Sequence, residues 1–221
     1  GKCRACEKLC PTKCIDFDQQ EEYITVDVGN IILATGFDTF DARKIPQYGY
    51  GRLANVFTSV EFERMCNAAG PTNGEVVLRD GVTTPKSVGI IHCVGSRDRN
   101  HNNYCSVICC MSSLKFAHLV KERTDAEVYN FYIDMRTAYK DYDEFYLRVL
   151  EEGTQFIRGR VAEVTDAARL PGEEGKLILQ AEDTLIGKQR RIPVDMVILA
   201  VALEPRADAK EVGHKFGISC S

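Results

Sequence analysis

The chain has 221 residues, 44% of them hydrophobic, and a net charge of −4 from 28 basic and 32 acidic side chains. That length allows one to two domains, and that apolar content supports an ordinary buried core. Acids and bases are interspersed, so no basic stripe points to nucleic acid, and the longest apolar run, MVILAVAL at 196 to 203, falls far short of the ~20 residues of a membrane span.

Ten cysteines in a chain of otherwise globular composition, with no visible signal peptide, suit a reducing cytoplasm, and an anaerobe if metal clusters are exposed. The first of them stand in GKCRACEKLCPTKCIDF, which reads Cys3-x2-Cys6-x3-Cys10-Pro11 and then Cys14. This matches the last three ligands of the bacterial ferredoxin run C-x2-C-x2-C-x3-C-P. The first ligand lies upstream of Gly1 or is replaced by Cys14, and a chain that begins inside such a motif reads as a piece of a longer product. A piece lacking one ligand need not assemble that site.

Residues 22 to 34 (EYITVDVGNIILA) are rich in β-branched side chains and predict a strand, ending in the tight turn Ala34-Thr35-Gly36. An irregular connection follows over 37 to 56. Thr58 or Ser59 is placed to cap a helix SVEFERMCNAA, with Glu61 in its first turn. The segment from Gly70 to Pro85 is turn-rich. A strand KSVGIIHCV, a polar loop at 97 to 103 and an amphipathic helix over about 106 to 123 come next, then a strand at 127 to 135 and a helix YDEFYLRVLEEG. Three further strands are predicted: TQFIRGRVAEVTD, GKLILQAEDT and IPVDMVILAVALEP. Strands alternating with helices and then pairing among themselves argue for a Rossmann-like α/β domain with an antiparallel excursion, the plan of the pyridine-nucleotide domain of two-dinucleotide flavoproteins.

The densest chemistry lies at the junction of the KSVGIIHCV strand and the following helix, where Cys93, Cys105, Cys109 and Cys110 fall within eighteen residues. Four thiolates suit an iron-sulfur cluster. Zinc is the competing reading, but its usual pattern is two spaced C-x2-C pairs, and the adjacent Cys109-Cys110 fits one tetrahedral ion poorly. Structural thiols are a third reading. Use of Cys109-Cys110 in thiol-disulfide exchange is weaker, because adjacent cysteines close a strained ring. A dinucleotide-binding domain carries G-x-G-x-x-G at this turn, whereas His92-Cys93-Val94-Gly95-Ser96-Arg97 has one glycine. We read this as a cluster standing where a nicotinamide nucleotide would, with the positive end of the helix suited to an anionic thiolate-cluster unit.

KCRACEKLCP, IILATGFDTFD, the Cys-x11-Cys-x3-Cys-Cys set and DMVILAVALEP together resemble the A subunit of heterodisulfide reductase, across essentially the whole chain. The resemblance implies an iron-sulfur flavoprotein with a fold of the thioredoxin/disulfide reductase type. It implies a 4Fe-4S cluster on Cys93, Cys105, Cys109 and Cys110, the tail of an inserted ferredoxin-like module at Cys3, Cys6 and Cys10, and an FAD-proximal turn at Ala34, Thr35 and Gly36. The implied domain limits are 1–20 for the module, 21–56 for an FAD-domain-like segment and linker, 57–203 for the cluster-bearing domain, and 204–221 for the return to the FAD domain. FAD belongs to the complete protein, because the amino-terminal G-x-G-x-x-G is absent here. The implied partners are heterodisulfide reductase B- and C-like subunits, hydrogenase and ferredoxin-type carriers, with a homodimer for the complete protein. The alternative is a catalytically inert, zinc-stabilised docking module. The aromatic residues from 129 to 146 read as packing, His92, His101 and His118 as ordinary hydrogen-bonding side chains, and Cys66 and Cys220 as isolated thiols.

Overall fold

A computed structural model describes residues 3–219; Cys220 lies outside them. The chain divides into two units, Gly1–Thr35 and Gly36–Ser221.

In the first unit a single short helix, α1 (Ala5–Leu9), carries Cys6 and leads into Cys10. The strand predicted over 22 to 34 is not formed. Tyr23, Ile24, Val26, Val28, Ile31 and Ile32 are all exposed along irregular chain. β-branched composition favours extended backbone, but a strand is held by the ladder of a neighbour. Among the described residues no strand pairs with this segment.

The second unit runs β1 (Asp38–Thr39), β2 (Val56–Thr58), α2 (Ser59–Met65), β3 (Ser87–Val94), α3 (Cys109–Arg123), β4 (Glu127–Tyr132), α4 (Tyr142–Glu151), β5 (Gln155–Arg158), β6 (Val161–Thr165), β7 (Leu177–Asp183), β8 (Lys188–Val194), β9 (Met196–Val201), β10 (Leu203–Glu204) and α5 (Ala209–Lys215). Five strands form a parallel sheet in the order β2-β9-β3-β4-β5, and β6-β7-β8 form an antiparallel meander. This is the expected α/β core with its antiparallel excursion.

Alternation along the central strands sorts side chains to two faces. Val88, Ile90, Val128, Met196 and Ile198 meet Phe62 of α2 and Leu114, Ala117 and Val120 of α3. Ile91, Phe131, Val197 and Leu199 meet Leu179, Ile192 and Val194 of the meander, together with Phe40 and Tyr48. Each fully buried Leu, Ile or Phe contributes about 1.5–3 kcal/mol. Gly89 lets the meander lie close on the sheet, because a Cβ there would press on the Leu179 side chain.

Several boundaries differ from the sequence reading for identifiable reasons. The expected strand at 154 to 166 divides into β5 and β6 at Gly159. Its N–H donates to the Tyr132 carbonyl at 2.8 Å, and a Cβ would collide with the Glu182 carbonyl. The expected strand at 192 to 205 breaks at Asp195. That carboxylate accepts from the backbone amides of Lys86 at 2.8 Å and Ser87 at 3.1 Å and pairs with Lys176, fixing the start of β3 to the meander. Thr58 is the cap of α2, in a reciprocal capping box with Glu61 that is worth about 1 kcal/mol. Among the described residues, no helix is long and apolar enough to cross a membrane.

Candidate metal centre

The chain leaves the sheet at the carboxyl end of β3 in an unusual conformation. Cys93 has φ +56° and Arg97 φ +52°, left-handed values that cost a non-glycine residue about 1–2 kcal/mol, with Gly95 at φ +80° between them. Gly95 packs flat on the Phe40 ring, and a Cβ there would enter it. These turns fold residues 95 to 106 into a compact loop. The Arg97 amide donates to the Tyr104 carbonyl at 2.9 Å, the Asp98 amide to the Asn102 carbonyl at 2.9 Å, and the Asn102 amide to the Gly95 carbonyl at 3.2 Å. Arg160, just past β5, clamps the loop from outside through Asp98 at 2.8 Å and the Arg97 carbonyl at 3.0 Å. From beside β10, Tyr104 and Asn102 are anchored to the Leu203 carbonyl and the Glu204 carboxylate, each at 2.8 Å.

The loop returns Cys105 to the foot of α3, whose first two residues are Cys109 and Cys110. The helix starts at 109, not 106, because Val107 takes φ +59°. Its N-cap, Ile108, has no side-chain oxygen to offer, so the first amides of the helix receive no side-chain cap. Cys93, Cys109 and Cys110 are buried, and Cys105 is half-buried.

The thiols influence one another. Cys93 is drawn down to about 7, first by its hydrogen bond with Cys109 and then by the positive charges of Arg97, Arg160 and Arg136, against the opposing effect of burial. Cys109 moves the opposite way, held protonated by the same bond and by burial. Burial raises Cys110 too, and negative charge on Cys93 or Cys105 would raise it further. The Cys110 thiol donates to the Asp134 carbonyl at 3.5 Å, and the Cys105 sulfur accepts from the Val107 amide at 3.3 Å. All four cysteines thus share one electrostatic environment at the carboxyl edge of the sheet. Among the described residues, no group of three or more His, Cys, Asp or Glu side chains is drawn around a point that one metal ion would fill. A cluster with several irons spreads its ligands more widely than a single tetrahedral ion does.

A cavity of about 330 Å³ reaches Cys93 and is lined also by Tyr48, Asp98 and Arg160. A larger one of about 830 Å³, beside Phe40, Arg52 and Arg79, contains none of the thiols.

The other residues singled out in the sequence lie elsewhere. Cys3 and Cys6 are exposed, while the Cys10 and Cys14 sulfurs approach to 3.6 Å with the Thr12 hydroxyl 3.3 Å from the first and 3.2 Å from the second. Thr12, aided by Cys14, pulls Cys10 down to about 6. Ala34, Thr35 and Gly36 follow one another along exposed chain, with Gly36 at φ +83°. Cys66 is buried in the helical-side core, and burial pushes its thiol up to about 11. His118 bonds Glu152 at 2.8 Å, His101 packs edge-on to Phe40, and His92 bonds Asn130 at 3.0 Å. Sequence reasoning does not reach Arg136 and Arg160. Both follow the carboxyl ends of parallel strands, the edge at which α/β sheets place ligands, and that placement is the signal that could have found them.

No family model matches the chain. It is 42% identical over 223 residues to a protein of Methanothermobacter thermautotrophicus named as the A subunit of H(2):CoB-CoM heterodisulfide,ferredoxin reductase, covering 100% of this chain and 33% of that one. The chain is a homologue of the heterodisulfide reductase A subunit. The iron-sulfur A subunit of CoB--CoM heterodisulfide reductase from Methanocaldococcus jannaschii is 43% identical over 223 residues, with the same two coverages. The A subunit of the Ferredoxin/F(420)H(2)-dependent CoB-CoM heterodisulfide reductase from Methanosarcina acetivorans is 41% identical over 219 residues, 98% of this chain and 27% of that one. The chain spans about a third of the length of the curated relatives it matches. Among solved structures, the thioredoxin reductase of T. acidophilum gives TM-score 0.35 and 16% identity over 57% of this chain and 33% of that one. The L-lysine 6-monooxygenase of Pseudomonas syringae gives TM-score 0.45 and 12% identity over 78% of this chain and 45% of that one. At those scores the matches add nothing to the fold already read from the sheet.

Proposed function

We propose that the segment is the electron-relay part of an oxidoreductase, holding a 4Fe-4S cluster on Cys93, Cys105, Cys109 and Cys110. The observation that carries this reading is the sharing of one charge environment by the four thiols, with Arg97, Arg136 and Arg160 set around the same edge. When bound, the cluster supplies one-electron transfer. The chain's own part is to hold it and exclude water. The buried positions of Cys93, Cys109 and Cys110 lower the local dielectric. The three arginines offset the negative charge that thiolates and sulfides bring together, and the clamped loop fixes the spacing of Cys93 from Cys105. No side chain acts as an acid or base in this role.

In the complete protein we assign FAD as the neighbouring redox group, with the Ala34-Thr35-Gly36 turn beside it, and Cys3, Cys6 and Cys10 as part of a second, ferredoxin-type site. Relatives whose names include ferredoxin, H(2) and formate support ferredoxin-type carriers and hydrogenase as partners; we further assign B- and C-like subunits as partners and the cytoplasm as the location.

The deciding experiment is iron, sulfide and zinc per chain on anaerobically reconstituted protein, with electron paramagnetic resonance after dithionite reduction. About four irons and a reduced-cluster signal, both lost in Cys93→Ala, are expected. Stoichiometric zinc without iron would replace the relay by a structural module.

A further inference from the structure

Five buried side-chain polar atoms lack a hydrogen-bond partner among the described residues: His92 Nδ1, Ser113 Oγ, Asn130 Nδ2, Thr154 Oγ1 and Arg191 Nη1. Ser113 stands apart because it is fully buried and lies on α3, one turn after Cys109 and Cys110. Serine in a helix commonly satisfies itself on the carbonyl four residues earlier. Ser113 does not, although that carbonyl belongs to Cys109. A helical side chain leans toward the amino terminus, and positions three and four residues apart share a face. Ser113 follows Cys109 by four residues and Cys110 by three, so its side chain shares their face of α3 and leans toward their turn. Leaving a buried hydroxyl unpaired is costly, and such a group calls for a partner.

We infer that Ser113 is the hydroxyl donor to a sulfur of the cluster assembly, either a cluster sulfide or the thiolate of Cys109 or Cys110, and that it sets the reduction potential. This rests on the cluster reading above. The added electron increases negative charge on the sulfurs, so a hydrogen bond to sulfur strengthens on reduction and raises the potential. The alternative partner is a water shared with His92 Nδ1 and Asn130 Nδ2, the two groups whose residues already bond each other on this side of the sheet.

The test compares wild type, Ser113→Ala and Ser113→Thr, reconstituted anaerobically with iron and sulfide. Iron per chain is measured, and the potential is read by titration monitored by electron paramagnetic resonance. Equal iron in all three is expected. At a fixed ambient potential the reduced-to-oxidised ratio of Ser113→Ala should fall about tenfold, or 59 mV for a one-electron couple, and Ser113→Thr should restore it. Pulsed measurements in D2O should show an exchangeable deuteron coupled to the cluster that disappears in the alanine variant. Coincident titrations of wild type and Ser113→Ala would overturn the inference and favour the water. Loss of iron in the alanine variant would overturn it too, since a donor that only tunes the cluster is not needed to hold it. A wild-type chain without iron would instead overturn the cluster reading itself.

Discussion

Cys93, near the end of β3, and Cys109, in the first turn of α3, shift each other's acidity in opposite directions, Cys93 down and Cys109 up. Cys93 has a left-handed backbone that glycine would adopt without strain. Strain kept at a ligand position separates two effects that one substitution usually mixes. Cys93→Gly should unfold at higher urea than Cys93→Ala, by about 1 kcal/mol, while both hold far less iron than the wild type. Equal stability of the two metal-free variants would show that the backbone does not favour glycine there. Wild-type iron content in either would remove Cys93 from the ligand set, as it would for Cys110→Ala.

Gly95 lies at φ +80° with its Cα against the Phe40 ring, so alanine meets both a strained backbone and a steric clash. Gly95→Ala should cost roughly 3 kcal/mol in urea unfolding, near the upper end of single-site effects. Gly153→Ala shares the positive φ but has open space around it, and should cost only about 1 kcal/mol. Similar losses at the two positions would mean that the Phe40 contact contributes nothing.

What can be read from the sequence divides along physical lines. The buried strands β3, β4 and β9 and the helices α3 and α4 announce themselves through apolar runs and 3.6-residue periodicity, because their burial is decided by their own residues. The segment from 22 to 34 carries an equally good strand signal and remains exposed, because pairing depends on a neighbour that local composition does not specify. The division of 154 to 166 at Gly159 turns on one close approach to the Glu182 carbonyl, a contact between positions 23 apart. At the thiol site the cysteines themselves are evident from spacing. The arginines are not, since Arg97, Arg136 and Arg160 come from three separate carboxyl-edge connections that only the parallel sheet brings to one place.

Arg160 holds the loop between the two halves of the thiol set through Asp98 and the Arg97 carbonyl. Arg160→Met keeps much of the side chain's apolar stem and removes the donors and the charge. Amide exchange in residues 95 to 104 should then accelerate about tenfold, corresponding to roughly 1.4 kcal/mol of lost local stability, with exchange in β4 unchanged. The loaded protein should release iron to a chelator faster. Unchanged exchange in the loop would assign its order to Tyr104 and Asn102 instead.

Glu173 gives the clearest pH dependence outside the thiol site. It is buried in the loop between β6 and β7, accepts from Arg191 at 2.8 and 2.9 Å, and accepts from the amides of Arg169 at 2.7 Å and Leu170 at 3.2 Å. The Arg191 bonds, followed by those amides, pull its carboxyl down to about 2. An unfolded glutamate titrates near 4.3, so the unfolded chain binds the proton more readily. The stability due to Glu173 is therefore fully present above about pH 4.3 and is lost as the pH falls from there toward 2. Glu173→Gln should begin with a lower urea midpoint at pH 6 and fall less steeply between pH 4.5 and 2.5 than the wild type. Parallel curves through that window would show that the carboxylate keeps an ordinary affinity for protons in the fold, and that the meander does not depend on its charge.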